Sequence, residues 1–230
     1  TYTGATNLNY GTLVVNDSIA ASSGLTTASG TLVQGSGTVS ALSGAGLVSP
    51  GNSPGILTAA SVDPAGGLDF AFEFTAAAPD YTSATGSRND VLRLTDTSDP
   101  LTAALSTDNE IGIYLNVADL EPGDVFLGGL YTDLGEDFAD LLAGATVNAY
   151  VALDGNGANV FEGVGYYDLA ELAFPLNAVL STVAATADFG NGTVQGYVMQ
   201  VTVLPEPSAY LLAVVMLTSF LPMRRRRVVR

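Results

Sequence analysis

The chain has no cysteine, no histidine and no tryptophan, and all seven of its basic residues are arginine. Without a thiol or an imidazole, neither a Cys/His nor a Ser/His/Asp acyl-transfer constellation can be assembled, and zinc sites built on nitrogen or sulfur ligands are excluded too. The lack of cysteine fits an exported protein that avoids disulfides as well as it fits a reducing cytosol. Charge is scarce as well. Only 13% of the 230 residues are charged, with 23 acids against 7 bases and a net charge of −16. Five arginines (Arg224, Arg225, Arg226, Arg227 and Arg230) fall in the last seven positions, so the rest of the chain carries only Arg88 and Arg93. So acidic a body repels phosphate backbones, and nucleic acid is not an expected partner. A basic leader followed by an apolar stretch is missing behind Thr1, so an export signal is expected to lie upstream.

What is present is a β composition. The hydrophobic fraction of 47% is enough to fill a core, and Gly, Thr, Ser, Ala and Asn crowd the first sixty positions. In residues 1–65 short apolar runs follow glycines: Gly11-Thr12-Leu13-Val14-Val15, Gly30-Thr31-Leu32-Val33, Gly37-Thr38-Val39, Gly46-Leu47-Val48 and Gly55-Ile56-Leu57-Thr58. Strands of three to five residues separated by Gly, Ser and Asn turns suit the rungs and corners of a parallel β-helix. The recurring Leu and β-branched residues argue against a flexible Gly/Ser linker. Thr1-Tyr2-Thr3-Gly4-Ala5-Thr6, followed by Gly11-Thr12-Leu13-Val14-Val15-Asn16, resembles one unit of the autotransporter-associated β-strand repeat. Ser49-Pro50-Gly51-Asn52-Ser53-Pro54-Gly55 resembles the segment that closes such arrays. The resemblance covers about the first quarter of the chain and implies the last rungs of a longer solenoid.

Residues 66–204 read differently, with longer strands of period two. Leu68, Phe70, Phe72 and Phe74 alternate with Asp69, Ala71, Glu73 and Thr75. Ile111, Ile113, Leu115 and Val117 alternate with Gly112, Tyr114 and Asn116; Val147 to Leu153 and Met199 to Val203 repeat the pattern. Turn signals at Pro122-Gly123-Asp124, Asp154-Gly155-Asn156-Gly157 and Gly190-Asn191-Gly192 separate these runs and predict an antiparallel, sandwich-like β domain. One helix is predicted where Leu134, Phe138, Leu141 and Leu142 share a face ahead of Gly144, and a second short one near Leu169–Leu172. Asp154 to Asn159 starts like a calcium loop but has Ala158, Asn159 and Gly165 where an EF-hand needs a ligand, a glycine and a glutamate, so it reads as a hairpin turn. No metal and no cofactor is expected.

Residues 205–230 carry the most specific pattern. Pro205-Glu206-Pro207 precedes an uncharged stretch from Ser208 to Met223, and Arg224-Arg225-Arg226-Arg227 follow. As a helix the stretch spans roughly 24 Å, a little short of a ~30 Å hydrocarbon core, so it predicts one marginal transmembrane helix. Four arginines stay on the cytoplasmic side, which places Pro205-Glu206-Pro207 and everything before it on the other. The two prolines favour an extended stalk. A buried terminal helix would show a polar face, and this stretch is apolar all round.

That order of elements resembles the PEP-CTERM sorting signal of exported bacterial proteins, a tail also labelled the ice-binding protein C-terminal region. The resemblance covers about the last 26 residues. It implies transit across the inner membrane, recognition by an exosortase-like membrane enzyme, tail removal and delivery to the cell surface or extracellular space. Carried over by position, Pro205, Glu206 and Pro207 are the sorting motif and Arg224, Arg225, Arg226 and Arg227 the stop-transfer cluster. Val228 and Val229 before Arg230, and Pro222 near the end of the helix, depart from the pattern. The label does not imply ice binding here, since Thr1-Tyr2-Thr3 is an isolated Thr-x-Thr. A membrane-spanning translocator barrel needs more strands than residues 66–204 supply.

The expected fold is therefore all-β: terminal rungs of a parallel β-helix over 1–65, an antiparallel β-sandwich-like domain over 66–204, and one C-terminal transmembrane helix within 205–230. The expected function is structural or adhesive and not enzymatic, with the membrane, the processing enzyme and an extracellular polysaccharide as partners. The competing reading is the non-catalytic end of a polysaccharide-active β-helix enzyme whose catalytic rungs lie upstream of Thr1, since the carboxylates of this chain are scattered and form no cluster for glycoside chemistry.

Overall fold

The computed structural model describes residues 2–51, 54–76, 89–117, 120–133, 137–151, 174–190 and 192–205. These residues are mostly β-strand, and the chain passes through three sheets in turn. First come β1 (Thr6–Leu8) and β2 (Thr12–Val14), then Ser18, which bridges Thr38. The next passage is β3 (Leu25–Thr27), β4 (Leu32–Gly35) and Thr38, which bridges Thr58. β5 (Leu42–Gly44), β6 (Leu47–Pro50) and β7 (Ile56–Ala59) follow, and then β8 (Val62–Asp63), β9 (Asp69–Phe74) and β10 (Val91–Leu94). A fifth passage has Leu101 bridged to Val62, β11 (Glu110–Leu115) and β12 (Val125–Asp133). A short helix α1 (Ala139–Leu142), β13 (Thr146–Val151), β14 (Phe174–Leu176) and the hairpin β15 (Ala178–Asp188) and β16 (Thr193–Val203) complete the described elements. The first sheet is ordered β1-β3-β5-β8, the second β14-β13-β11-β9-β6-β4-β2 and the third β15-β16-β12-β10-β7.

Successive passages stack like on like. Leu13, Val33, Val48, Phe70, Ile111 and Val147 are register neighbours across the second sheet, as Leu57, Leu92 and Leu130 are across the third. Each row keeps one apolar column against the next, and a single buried cluster runs from Val15 to Val203. The corners lie so close that some admit no side chain. Gly35 and Gly44 sit at φ of 113° and 114°, and a Cβ on either would fall onto the carbonyl of Val15 or Thr27 in the passage before. Only glycine combines that backbone with that contact.

The short Gly-flanked runs of residues 1–65 become strands or bridges in parallel sheets, as expected. The antiparallel arrangement expected for 66–204 is corrected. β9, β11 and β13 pair in parallel, and so do β7, β10 and β12. Among the described residues, antiparallel strand pairs are β13 with β14, β12 with β16 and β15 with β16, besides isolated antiparallel bridges at Gly35–Gly51 and Phe74–Asn89. Period two specifies which face a side chain takes and is silent on the direction of the neighbouring strand. β6 pairs with β9 across residue 65, so sheet and core both continue through the expected boundary.

Of the expected helix, Ala139–Leu142 is helical, with Phe138 and Leu142 buried, and Leu134 lies outside the described residues. The segments 154–159 and 169–172 also lie outside them.

Candidate functional site

The expected sorting motif begins two residues after β16, the last described strand. β16 runs between β12 and β15, and its last residue is held to the turn ahead of β12: Val203 N–H donates to the Asp124 carbonyl at 2.9 Å, and Gly123 N–H to the Val203 carbonyl at 2.9 Å. Leu204 N–H donates to the Asn177 carbonyl at 2.8 Å, and Leu204 is 41% exposed. Pro205, half-buried, is the next residue and the last described. Glu206, Pro207, the 208–223 segment and Arg224, Arg225, Arg226 and Arg227 lie outside the described residues. Among the described residues no helix is long and apolar enough to cross a membrane.

A second place with chemical potential is a cleft of about 470 Å³ on the outer face of the third sheet. Thr38, Thr58 and Arg93 are neighbours on consecutive strands along its floor. Arg93 donates from Nε to Asp133 Oδ1 at 2.9 Å and from Nη2 to Oδ2 at 2.6 Å, a two-pronged pair. The guanidinium also lies 4.4 Å from the ring centre of Phe189, which meets Tyr131 edge-to-face at 4.9 Å. Tyr131 Oη donates to the Val194 carbonyl at 3.1 Å and ties the curled hairpin to the sheet. The aspartate cancels the positive charge, so the cleft does not attract anions. Its threonine hydroxyls offer both donors and acceptors, and its volume is that of a small-ligand site.

Arg93 and Asp133 are largely buried, with side-chain exposures of 12% and 10%. Replacing Arg93 with methionine keeps the apolar stem and strands the carboxylate. The expected loss is about 3 kcal/mol in urea unfolding, and a loss near zero would show that the pair is not a stabilising contact.

The third feature is a buried acid. Asn89 and Asp90 are fully buried just ahead of β10. Asp90 Oδ1 accepts from Gly55 N–H at 2.9 Å and Oδ2 from Glu73 N–H at 2.8 Å, joining the entry of β7 to β9. Asn89 Oδ1 accepts from Thr75 N–H at 2.9 Å and Ala76 N–H at 3.1 Å, and its Nδ2 donates to the carbonyls of Ala76 and Leu127. Burial pushes the Asp90 carboxyl well above the usual carboxylate range, against the lowering effect of its two backbone donors, and the Glu73 charge adds to the rise. The arrangement clamps backbone.

Sequence reasoning noted Arg93 only as a count and missed Asn89 and Asp90. A signal existed for the first: one arginine inside Val91-Leu92-Arg93-Leu94, in a chain this short of cations, has to find a carboxylate. Among the described residues no group of three or more potential ligands is placed to hold a metal ion. Together these features define a mostly β body of largely parallel sheets with an antiparallel hairpin as its last described elements. No family model, curated protein or solved structure matches the chain.

Proposed function

We propose that the chain is an exported cell-surface or extracellular-matrix protein of structural or adhesive role, sorted through its C-terminal tail. On this reading the body is the end of a parallel β-helix, its passages are rungs, and the β15–β16 hairpin closes the stack. The carrying observation is the tail itself: Pro205-Glu206-Pro207, sixteen uncharged residues and Arg224 to Arg227, in that order, beginning two residues after the end of β16. A marginal apolar helix locked by guanidinium groups at its inner end orients everything before it away from the cytoplasm. The cyclic order of the three sheets and the in-register apolar columns support the rung reading. The neutralised, hydroxyl-lined cleft suits an uncharged polysaccharide, the partner an adhesive surface protein would meet.

The test is C-terminal mass spectrometry of the protein expressed behind an export leader in a host that carries an exosortase-like enzyme. A chain that ends near Pro207 and is recovered outside the inner membrane is expected. The variant Glu206→Ala is expected to stay full-length in the inner membrane. An intact chain ending at Arg230 and recovered from the cytosol would overturn the proposal.

A further inference from the structure

The longest free strand edge among the described residues belongs to β15. β15 pairs with β16 over all 11 of its residues and has no other strand neighbour. The register tells which backbone groups remain. Asn177 O accepts from Leu204 N–H, and in an antiparallel ladder that bond direction recurs at every second residue. The odd positions 179 to 187 therefore face β16, and the even positions Ala178, Leu180, Thr182, Ala184, Thr186 and Asp188 turn their N–H and C=O groups outward. Among the described residues no backbone partner outside β16 is found for them. The first half of this edge is flanked: α1 lies against β15, and the Thr182 hydroxyl donates to Asp137 Oδ1. The second half, Val183–Asp188, is open, with Ala184, Thr186 and Asp188 exposed.

An open strand of six residues has the length of an ordinary sheet strand, and natural edges of that kind are guarded by lysine, proline, a bulge or brevity. The other edges here are brief: β1, β2 and β14 have three residues each. β15 carries no proline and no basic residue, and it is uncharged from Ala178 through Ala187 in a chain of net charge −16.

We propose that the Val183–Asp188 edge of β15 pairs antiparallel with the same edge of a second copy of this chain, joining two third sheets across a two-fold axis. Opposite residues in an antiparallel ladder share the same bonding parity, so even positions meet even positions and the two-fold axis passes at Ala185 or Thr186; no other free edge among the described residues is as long. Asp188 of one copy then falls opposite Thr182 or Ala184 of the other, so that like charges do not meet, whereas most of the remaining acidic surface repels a second copy. The pairing stands apart from the proposed export, because it is a property of the purified protein.

The test uses the full chain in detergent, where dimers formed through the apolar tail have to be told apart from dimers formed through β15. The chain has no cysteine, so single substitutions report position cleanly. Val183→Cys, Ala184→Cys, Ala185→Cys, Thr186→Cys and Ala187→Cys are oxidised separately, with exposed Asp99→Cys as control. Residues opposite each other across an antiparallel pair lie within disulfide reach. A disulfide-linked dimer peaking at one position and falling by about tenfold on both sides is expected.

The double variant Ala184→Lys/Thr186→Lys changes two exposed side chains, lowers the net negative charge and sets lysines against lysines. It is expected to weaken self-association by at least about tenfold in sedimentation equilibrium. A flat cross-linking profile at the level of Asp99→Cys, or a lysine variant that associates as well as the parent, overturns the proposal. So does a parent whose association is lost on deleting residues 206–230, since that dimer would belong to the tail.

Discussion

Replacing Asp90 with alanine is expected to destabilise the fold by about 1–3 kcal/mol for each backbone donor it orphans, the N–H groups of Gly55 and Glu73. The loss should depend on pH in a definite direction. Burial raises the Asp90 carboxyl, so between the ordinary carboxylate range and its own higher value the folded chain keeps a proton that the unfolded chain has released. Stability from this group is then fully present below the ordinary range and is lost as pH rises through the folded value. The gap between parent and Asp90→Ala should be widest near about pH 4 and should narrow toward about pH 7, as measured by urea unfolding at each. A gap that widens with pH would mean that Asp90 is held ionised, and the assigned cause of its shift would be wrong.

Phe74→Ala is expected to cost about 3–5 kcal/mol. Phe74 is fully buried at the end of β9 and meets Phe126 of β12 edge-to-face, with ring centres 6.2 Å apart at 72°. It therefore packs the second sheet against the third, and the cavity it leaves lies between two ladders that cannot collapse toward each other. Val125→Ala, one residue before Phe126 and 37% exposed, should change stability by less than about 0.5 kcal/mol. The shape of the transition matters as much as its position. One core from Val15 to Val203 predicts a single unfolding step that moves as a whole in Phe74→Ala. Two steps, with residues 1–65 unaffected, would restore the boundary that sheet pairing removes.

Much of the fold was legible because the same rule acts on every strand. Leu68, Phe70, Phe72 and Phe74 alternate with polar or small residues, and all four are buried. The glycines before the short runs were legible too, since Gly11 and Gly30 stand at positive φ and Gly37 and Gly46 leave no room for a Cβ, whereas Gly35 and Gly44, which end β4 and β5, carried no such signal. The candidate site was less so. Arg93 and Asp133 are 40 residues apart, and Asp90 binds Gly55 and Glu73 at separations of 35 and 17; neither spacing follows a helical or strand period. Such pairs are set by which passages lie side by side, and that depends on lengths of chain between strands that carry no pattern of their own.

The sequence by itself determined the all-β character, the apolar face of strands such as β9, β11 and β16 and the order of the tail, because side-chain partitioning between water, core and lipid is a local property of each residue. Tertiary structure alone decided that β9 to β13 run parallel, that one core crosses residue 65 and that an arginine closes on an aspartate under Phe189. Strand direction and distant pairing come from the packing of whole passages on one another, an energy shared among many residues and written in none of them.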